Sequence, residues 1–201
     1  MTDEIAAILI ASGFSRRFGS ENKLLFPFRG KPLAAHTLDL VCRFDKSGAE
    51  GSLFSGIYFV ASDERVAALA AGLPVTVIHN NAPEKGRRES VRLGVEAAGM
   101  PDYYFFFPCD QPMLDAETLW LIMAARQPGK IVEPFFEGSL VCQGSPSLFS
   151  AAFRDELLTL GEGEKPGVIK VRHPDAVIKK EIKNSLALVD IDMPEDIEKY
   201  S

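Results

Sequence analysis

Gly13, Ser15, Arg16, Arg17, Gly19 and Lys23 fall within one short stretch of the chain, ILIASGFSRRFGSENKLL, residues 8–25. Together they suit a polyphosphate. Gly13 lacks the Cβ that would block close approach of a phosphate. Ser15 and the loop amides can donate hydrogen bonds, and Arg16 or Arg17 can grip phosphate oxygens through two bonds at once. Lys23 adds a point charge. Carboxylates that could answer such a ligand come much later: Asp110 in FFFPCDQP, and Asp190 and Asp192 in VDIDMPED. A carboxylate facing a polyphosphate is suited to holding Mg²⁺. The ion would neutralise charge at a phosphorus under attack. Each acid also has a plain role open to it. Asp110 can shape a turn, and Asp192 can cap a helix with Glu195 closing a capping box. A capping Asp keeps a second oxygen free, so the two roles are compatible.

The segment from Asn80 to Gly94, NNAPEKGRRESVRLG, leads through Gly86 into a helix whose N-terminus can face an anion. Ser90 and Gly94 share one face of that helix, where small residues admit a base or a neighbouring strand. Gln143-Gly144-Ser145-Pro146 is either a substrate-side loop or a plain turn. His36, His79 and His173 lack the neighbours that a triad or a metal shell needs. Cys109 reads as a small buried residue, not a nucleophile.

The elements that must position these groups alternate in type. Apolar runs of strand length fall at Ile5–Ala11, Ile57–Ala61, Val75–His79, Tyr103–Phe107 and Ile131–Phe136. Helical periodicity covers Pro32–Phe44, a segment capped by Ser62 and running to Leu69, Glu89–Ala98 and Ala116–Ala125. This βαβ alternation predicts a mainly parallel sheet covered on both faces, a Rossmann-like three-layer αβα sandwich. Further on, Glu137-Gly138 reads as a turn between two short strands and Ser150–Leu160 as a helix. Gly161–Gly167 reads as a loop, Val177–Ile182 and Ala187–Ile191 as strands, and Pro194–Tyr200 as a closing helix. In open α/β sheets, ligands sit at the carboxyl ends of strands near a reversal of strand order. The glycine-rich loop, Asp110 and Asp192 all follow predicted strands.

With 201 residues, the chain suits one domain, a nucleotide half of about 1–115 and an acceptor half of about 116–201. A net charge of −6 argues against general nucleic-acid binding. Against it, Arg16/Arg17 and Lys85/Arg87/Arg88 form local basic clusters. Cys42, Cys109 and Cys142 show no zinc or disulfide spacing, which suits a reducing compartment. No secretory leader pattern and no apolar run of roughly 20 residues is present. The expectation is a cytoplasmic protein without membrane partners.

The loop LIASGFSRRFGSENKLL, the CDQP tetrad and the DIDMPED segment resemble the molybdenum-cofactor nucleotidylyltransferases, a MobA-like NTP transferase family, and within it the cytidylyltransferase branch. The family's usual first motif is LAAGxSxRxG followed by NKLL; Ser12 stands here where alanine is usual. Ser90 and Gly94 match its SxxxG element. The resemblance implies that Ala11, Ser12, Gly13, Ser15, Arg16, Gly19, Lys23, Asn80, Ser90 and Gly94 line a nucleoside triphosphate. It further implies that Arg17, Lys23 and Asp110 serve catalysis, and that Asp110 and Asp192 hold Mg²⁺. The reaction implied is CTP plus a molybdopterin-type cofactor giving the cytosine dinucleotide form and pyrophosphate, with a molybdoenzyme or its chaperone as a delivery partner. Gln111, in place of the methionine common in the guanylyl branch, leans towards CTP. The sequence departs from the family pattern on the acceptor side, at GEGEKPGVIKVR and QGSP.

Overall fold

The computed structural model describes residues 3–12, 22–48, 51–137 and 144–200. Of the glycine-rich loop after β1, Gly13, Ser15, Arg16, Arg17 and Gly19 lie outside the described residues, as do Gly138, Cys142 and Gln143.

The chain runs β1 (Ile5–Ala11), a hairpin of β2 (Pro27–Phe28) and β3 (Lys31–Pro32), α1 (Leu33–Asp45), β4 (Gly56–Ala61), α2 (Glu64–Ala67), β5 (Thr76–His79), α3 (Arg87–Ala98), β6 (Tyr103–Pro108) and α4 (Ala116–Ala124). It continues through β7 (Ile131–Phe135), β8 (Ser147–Ser150), α5 (Arg154–Leu158), α6 (Gly167–Arg172), β9 (Val177–Glu181) and α7 (Pro194–Tyr200). One sheet has the order β5-β4-β1-β6-β8-β7-β9. β8 pairs antiparallel with β6 and β7, while the other pairings in this sheet are parallel. β1 is buried along its whole length because helices cover both faces. Its side chains divide by alternation. Ile5, Ala7, Leu9 and Ala11 enter the core shared with α1, α2 and α4, whereas Ile8 and Ile10 enter the core shared with α3, α5 and α6. The three-layer αβα sandwich is therefore the observed fold.

Strand order reverses beside β1: the chain builds outward to β4 and β5, then returns to place β6 on the other side of β1. The register sets Ile10 against Pro108. Two residues further on, Ser12 and Asp110 stand level past the strand ends, on either side of the reversal point.

Several local expectations are corrected. Asp63, not Ser62, caps α2; its carboxylate accepts from Arg65 N at 2.9 Å. Ala187–Ile191 is not a strand: Ser185–Leu188 is a 3₁₀ turn, and Ile191 N donates to Asp110 O at 2.9 Å. The helix expected over Ser150–Leu160 begins one strand too early, since Ser150 ends β8 and the α-helix spans only Arg154–Leu158. Within the expected loop, Gly167 opens α6. The carboxylate that reaches back at the start of α7 is Asp196, not Glu195; it accepts from Asp192 N at 2.9 Å and Met193 N at 2.8 Å. No helix among the described residues is long and apolar enough to cross a membrane.

Candidate active site

Three distant segments converge on Lys23. Asn22 caps a 3₁₀ turn through its side-chain oxygen, which accepts from Leu24 N at 3.1 Å. Leu24 is buried in the core below, and this anchors the turn. Lys23 Nζ then reaches Asp110 Oδ2 and Asp192 Oδ1, each at 2.8 Å, and the carbonyl of Ile191 at 3.1 Å. Burial pulls the Lys23 pKa down, but the Asp110 and Asp192 carboxylates outweigh it, and the net shift is upward. The lysine is held as a cation.

Both carboxylates are placed by backbone. Asp110 leaves the end of β6 behind a core of Phe105, Phe107 and Cys109. Its carbonyl accepts from Ile191 N, clipping the second acidic segment alongside. Gln111 adds another clasp: completely buried, it donates from Nε2 to Asp190 Oδ1 at 2.9 Å. Its Oε1 is buried with no hydrogen-bond partner among the described residues. The contact joins the end of β6 to the Asp190 segment.

Two carboxylate oxygens share one cation position here, occupied by the ammonium of Lys23. Hard oxygen donors of this kind fit Mg²⁺ or Mn²⁺. Among the described residues no group of three or more His, Cys, Asp or Glu could hold a metal. A pair of carboxylates is nonetheless the usual protein share of a Mg²⁺ site completed by water and substrate phosphates.

On the other side of the reversal point lies a neutral polar group. Asn80 Nδ2 donates to Ser90 Oγ at 2.8 Å, and Ser90 Oγ is hydrogen-bonded to Ser12 Oγ. Asn80 and Ser90 are buried, while Ser12 is half-buried. Ala11, just before it, is buried in β1. Gly94 lies against the strands: a Cβ there would sit 2.6 Å from Ile8 Cγ2 and 3.4 Å from Val60 Cγ2. Its small size lets α3 pack closely on β1 and β4.

A cleft of about 400 Å³ opens at the carboxyl ends of β1 and β6, lined by Ile10, Val91, Phe106, Pro108 and Val171 among others. Glu133 and Lys170 form an ion pair on its wall at 2.7 Å. Lys170 also donates to the carbonyl of Gly144, which places the expected QGSP loop partly beside this cleft. Arg87 and Lys165 supply further positive charge.

The remaining candidates have structural partners. His36 bonds the carbonyl of Phe28 at 2.8 Å, His79 pairs with Glu64 at 3.2 Å, and His173 with Glu156 at 2.7 Å. Burial pushes the Cys109 thiol far above the ordinary range, so it does not supply a thiolate.

Known proteins share this fold. Nicotine blue oxidoreductase of Paenarthrobacter nicotinovorans is 24% identical over 169 residues, covering 80% of this chain and 78% of that protein. A nucleotidyl transferase from Methanothermobacter shares the fold with a TM-score of 0.80 at 22% identity, covering 98% of this chain and 96% of the other. Rv0371c from Mycobacterium tuberculosis H37Rv, solved in complex with manganese, has a TM-score of 0.70 at 23% identity, covering 98% and 97%. Residues 7–177 match the MobA-like NTP transferase domain, and the chain belongs to that family.

Proposed function

We propose that this chain is a divalent-metal-dependent cytidylyltransferase that transfers CMP from CTP to the terminal phosphate of a molybdopterin-type cofactor. One observation carries the reading: Lys23 joins Asp110 and Asp192 at the carboxyl end of the reversal point. A cation and two carboxylates meet there, where a triphosphate and its metal belong.

In this reading Gly13, Arg17 and Lys23 hold the triphosphate. Bound at Asp110 and Asp192, Mg²⁺ would neutralise charge at the α-phosphorus. An acceptor phosphate oxygen attacks that phosphorus, the α–β anhydride bond breaks, and pyrophosphate leaves. The chain's contribution is positioning and charge stabilisation, without a covalent intermediate. Lys23 starts in contact with both acids; a divalent ion bound there would take its place as their charge partner and leave the ammonium to the phosphates. The cleft with Arg87, Lys165 and the Glu133–Lys170 pair gives the acceptor a place at the end of β6: apolar walls for a ring system and cations for its phosphate.

Purified protein incubated with CTP or GTP, Mg²⁺ and the cofactor tests the proposal. Pyrophosphate release with CTP supports it; no release with any nucleotide sinks it.

A further inference from the structure

We propose that Glu133 and Lys170 read the ring of the acceptor, binding the 2-amino-4-oxo pyrimidine edge that a pterin carries. The inference rests on the nucleotidyltransferase reading and names the pair that recognises what receives the nucleotide. Glu133 lies in β7 and Lys170 in α6, and both line the cleft of about 400 Å³. Their side chains are only 11% and 13% exposed, in a cleft otherwise walled by Ile10, Val91 and Phe106. An ion pair so enclosed adds little stability over apolar side chains of similar size, so packing alone does not call for it. Lys170 Nζ sits 2.7 Å from Glu133 Oε2 and donates to the carbonyl of Gly144. Burial pulls the Lys170 pKa down against the Glu133 charge, and the net shift is downward. The ammonium therefore still gains from another acceptor, and it has a third N–H to offer. Gly144 keeps the pair uncovered: a Cβ there would stand 2.7 Å from Glu133 Oε2 and 3.0 Å from Lys170 Nζ.

Charge fixes the sense of each bond, since the carboxylate only accepts and the ammonium only donates. The polar atoms follow the order Oε1, Oε2, Nζ: two acceptors, then a donor. The pterin edge runs 2-amino N–H, N3–H, O4: two donors, then an acceptor. The two orders match atom for atom, and the carboxylate takes the paired N–H groups as it would take an arginine fork. The span fits as well. Val132 pairs with Leu148, so Glu133 stands level with Ser147, which pairs with Phe106. Glu133 is thus two strands across from Phe106, and Asp110 lies four residues beyond Phe106. At about 3.3 Å per residue and about 4.8 Å per strand, Glu133 and Asp110 are roughly 16 Å apart. A fused tricyclic ring with a phosphate arm bridges that gap, its ring on Glu133 and its phosphate towards Asp110. Guanine presents the same edge, so the test separates the two.

Titration with pterin, followed by quenching of pterin fluorescence, tests the inference without any nucleotide. Lumazine, with a 2-oxo group in place of the 2-amino group, is the comparison, and guanosine is the second arm. Wild type is expected to favour pterin over lumazine by about tenfold or more, because lumazine sets an acceptor against the carboxylate. Glu133→Gln should erase that preference with the far-ultraviolet circular dichroism spectrum unchanged. A merely structural pair would instead weaken both ligands alike in that variant. Absence of pterin binding in wild type, equal affinity for pterin and lumazine, or guanosine bound more tightly than pterin overturns the inference. Pyrophosphate release from CTP alongside any of these leaves the functional reading standing. No release with any nucleotide sinks that reading whatever pterin does, so the two failures are distinguishable.

Discussion

Lys23 and Asp110, far apart in sequence, are joined by a 2.8 Å salt bridge in which each side chain is less than one-sixth exposed, 14% and 13%. The bridge joins the 3₁₀ turn at Lys23 to the end of β6. It also places an ammonium where a divalent ion would meet Asp110 and Asp192.

Lys23→Ala should therefore move two properties in opposite directions. Turnover falls by roughly 100-fold or more as charge stabilisation of the phosphates is lost. Affinity for Mn²⁺ without nucleotide rises, because the competing cation is gone. Metal titration followed by electron paramagnetic resonance reads the second effect. Weaker Mn²⁺ binding in the variant would show that Lys23 does not compete for these carboxylates.

Asp110→Asn removes the charge that both Lys23 and the metal use. Metal-dependent turnover should drop by at least about 1000-fold, with the far-ultraviolet circular dichroism spectrum unchanged. Near-normal activity would remove Asp110 from the mechanism.

Gly94→Ala tests the packing under the site. A Cβ at 2.6 Å from Ile8 Cγ2 meets a completely buried side chain in β1. Overpacking should cost about 1–3 kcal/mol, measured by urea denaturation. No loss of stability would mean that α3 can slide from the sheet, and with it Ser90.

Asp63 ties its cap to pH. A hydrogen bond from the Arg65 guanidinium, opposed by burial and aided by Arg65 N, holds its carboxyl down to about 2. A depressed pKa gives stability that is complete above the unfolded value near 3.8 and lost as pH falls towards about 2. Asp63→Ala should cost about 1 kcal/mol at neutral pH, and the gap to wild type should close in that acid window. A gap undiminished at pH 2 would contradict the assignment.

The parts of this fold legible in sequence were those whose pattern matches their environment. The unbroken apolar run of β1 and the capped Pro194–Tyr200 helix have the bounds read from residues alone. β8 escaped because Ser147–Ser150 is only four residues long and follows a proline, so it reads as the end of a turn. Ala187–Ile191 misled in the opposite sense: its leucine, valine and isoleucine suit a strand, yet its buried residues pack beside the sheet and Ile191 N bonds to Asp110 O. In the site, the types and order of Lys23, Asp110 and Asp192 were readable. The buried clasp of Gln111 on Asp190 and the hydrogen bonds joining Asn80, Ser90 and Ser12 were not, because each links residues many positions apart.

The central claim is transfer of a nucleotidyl group, and following the α-phosphate tests it most directly. CTP labelled at that phosphate is incubated with the protein, Mg²⁺ and the molybdopterin-type cofactor. The account predicts that label moves into the cofactor in a one-to-one ratio with pyrophosphate released. Label recovered in free CMP, intact CTP after prolonged incubation, or conversion of a heterocycle that needs a reductant and no CTP would contradict it.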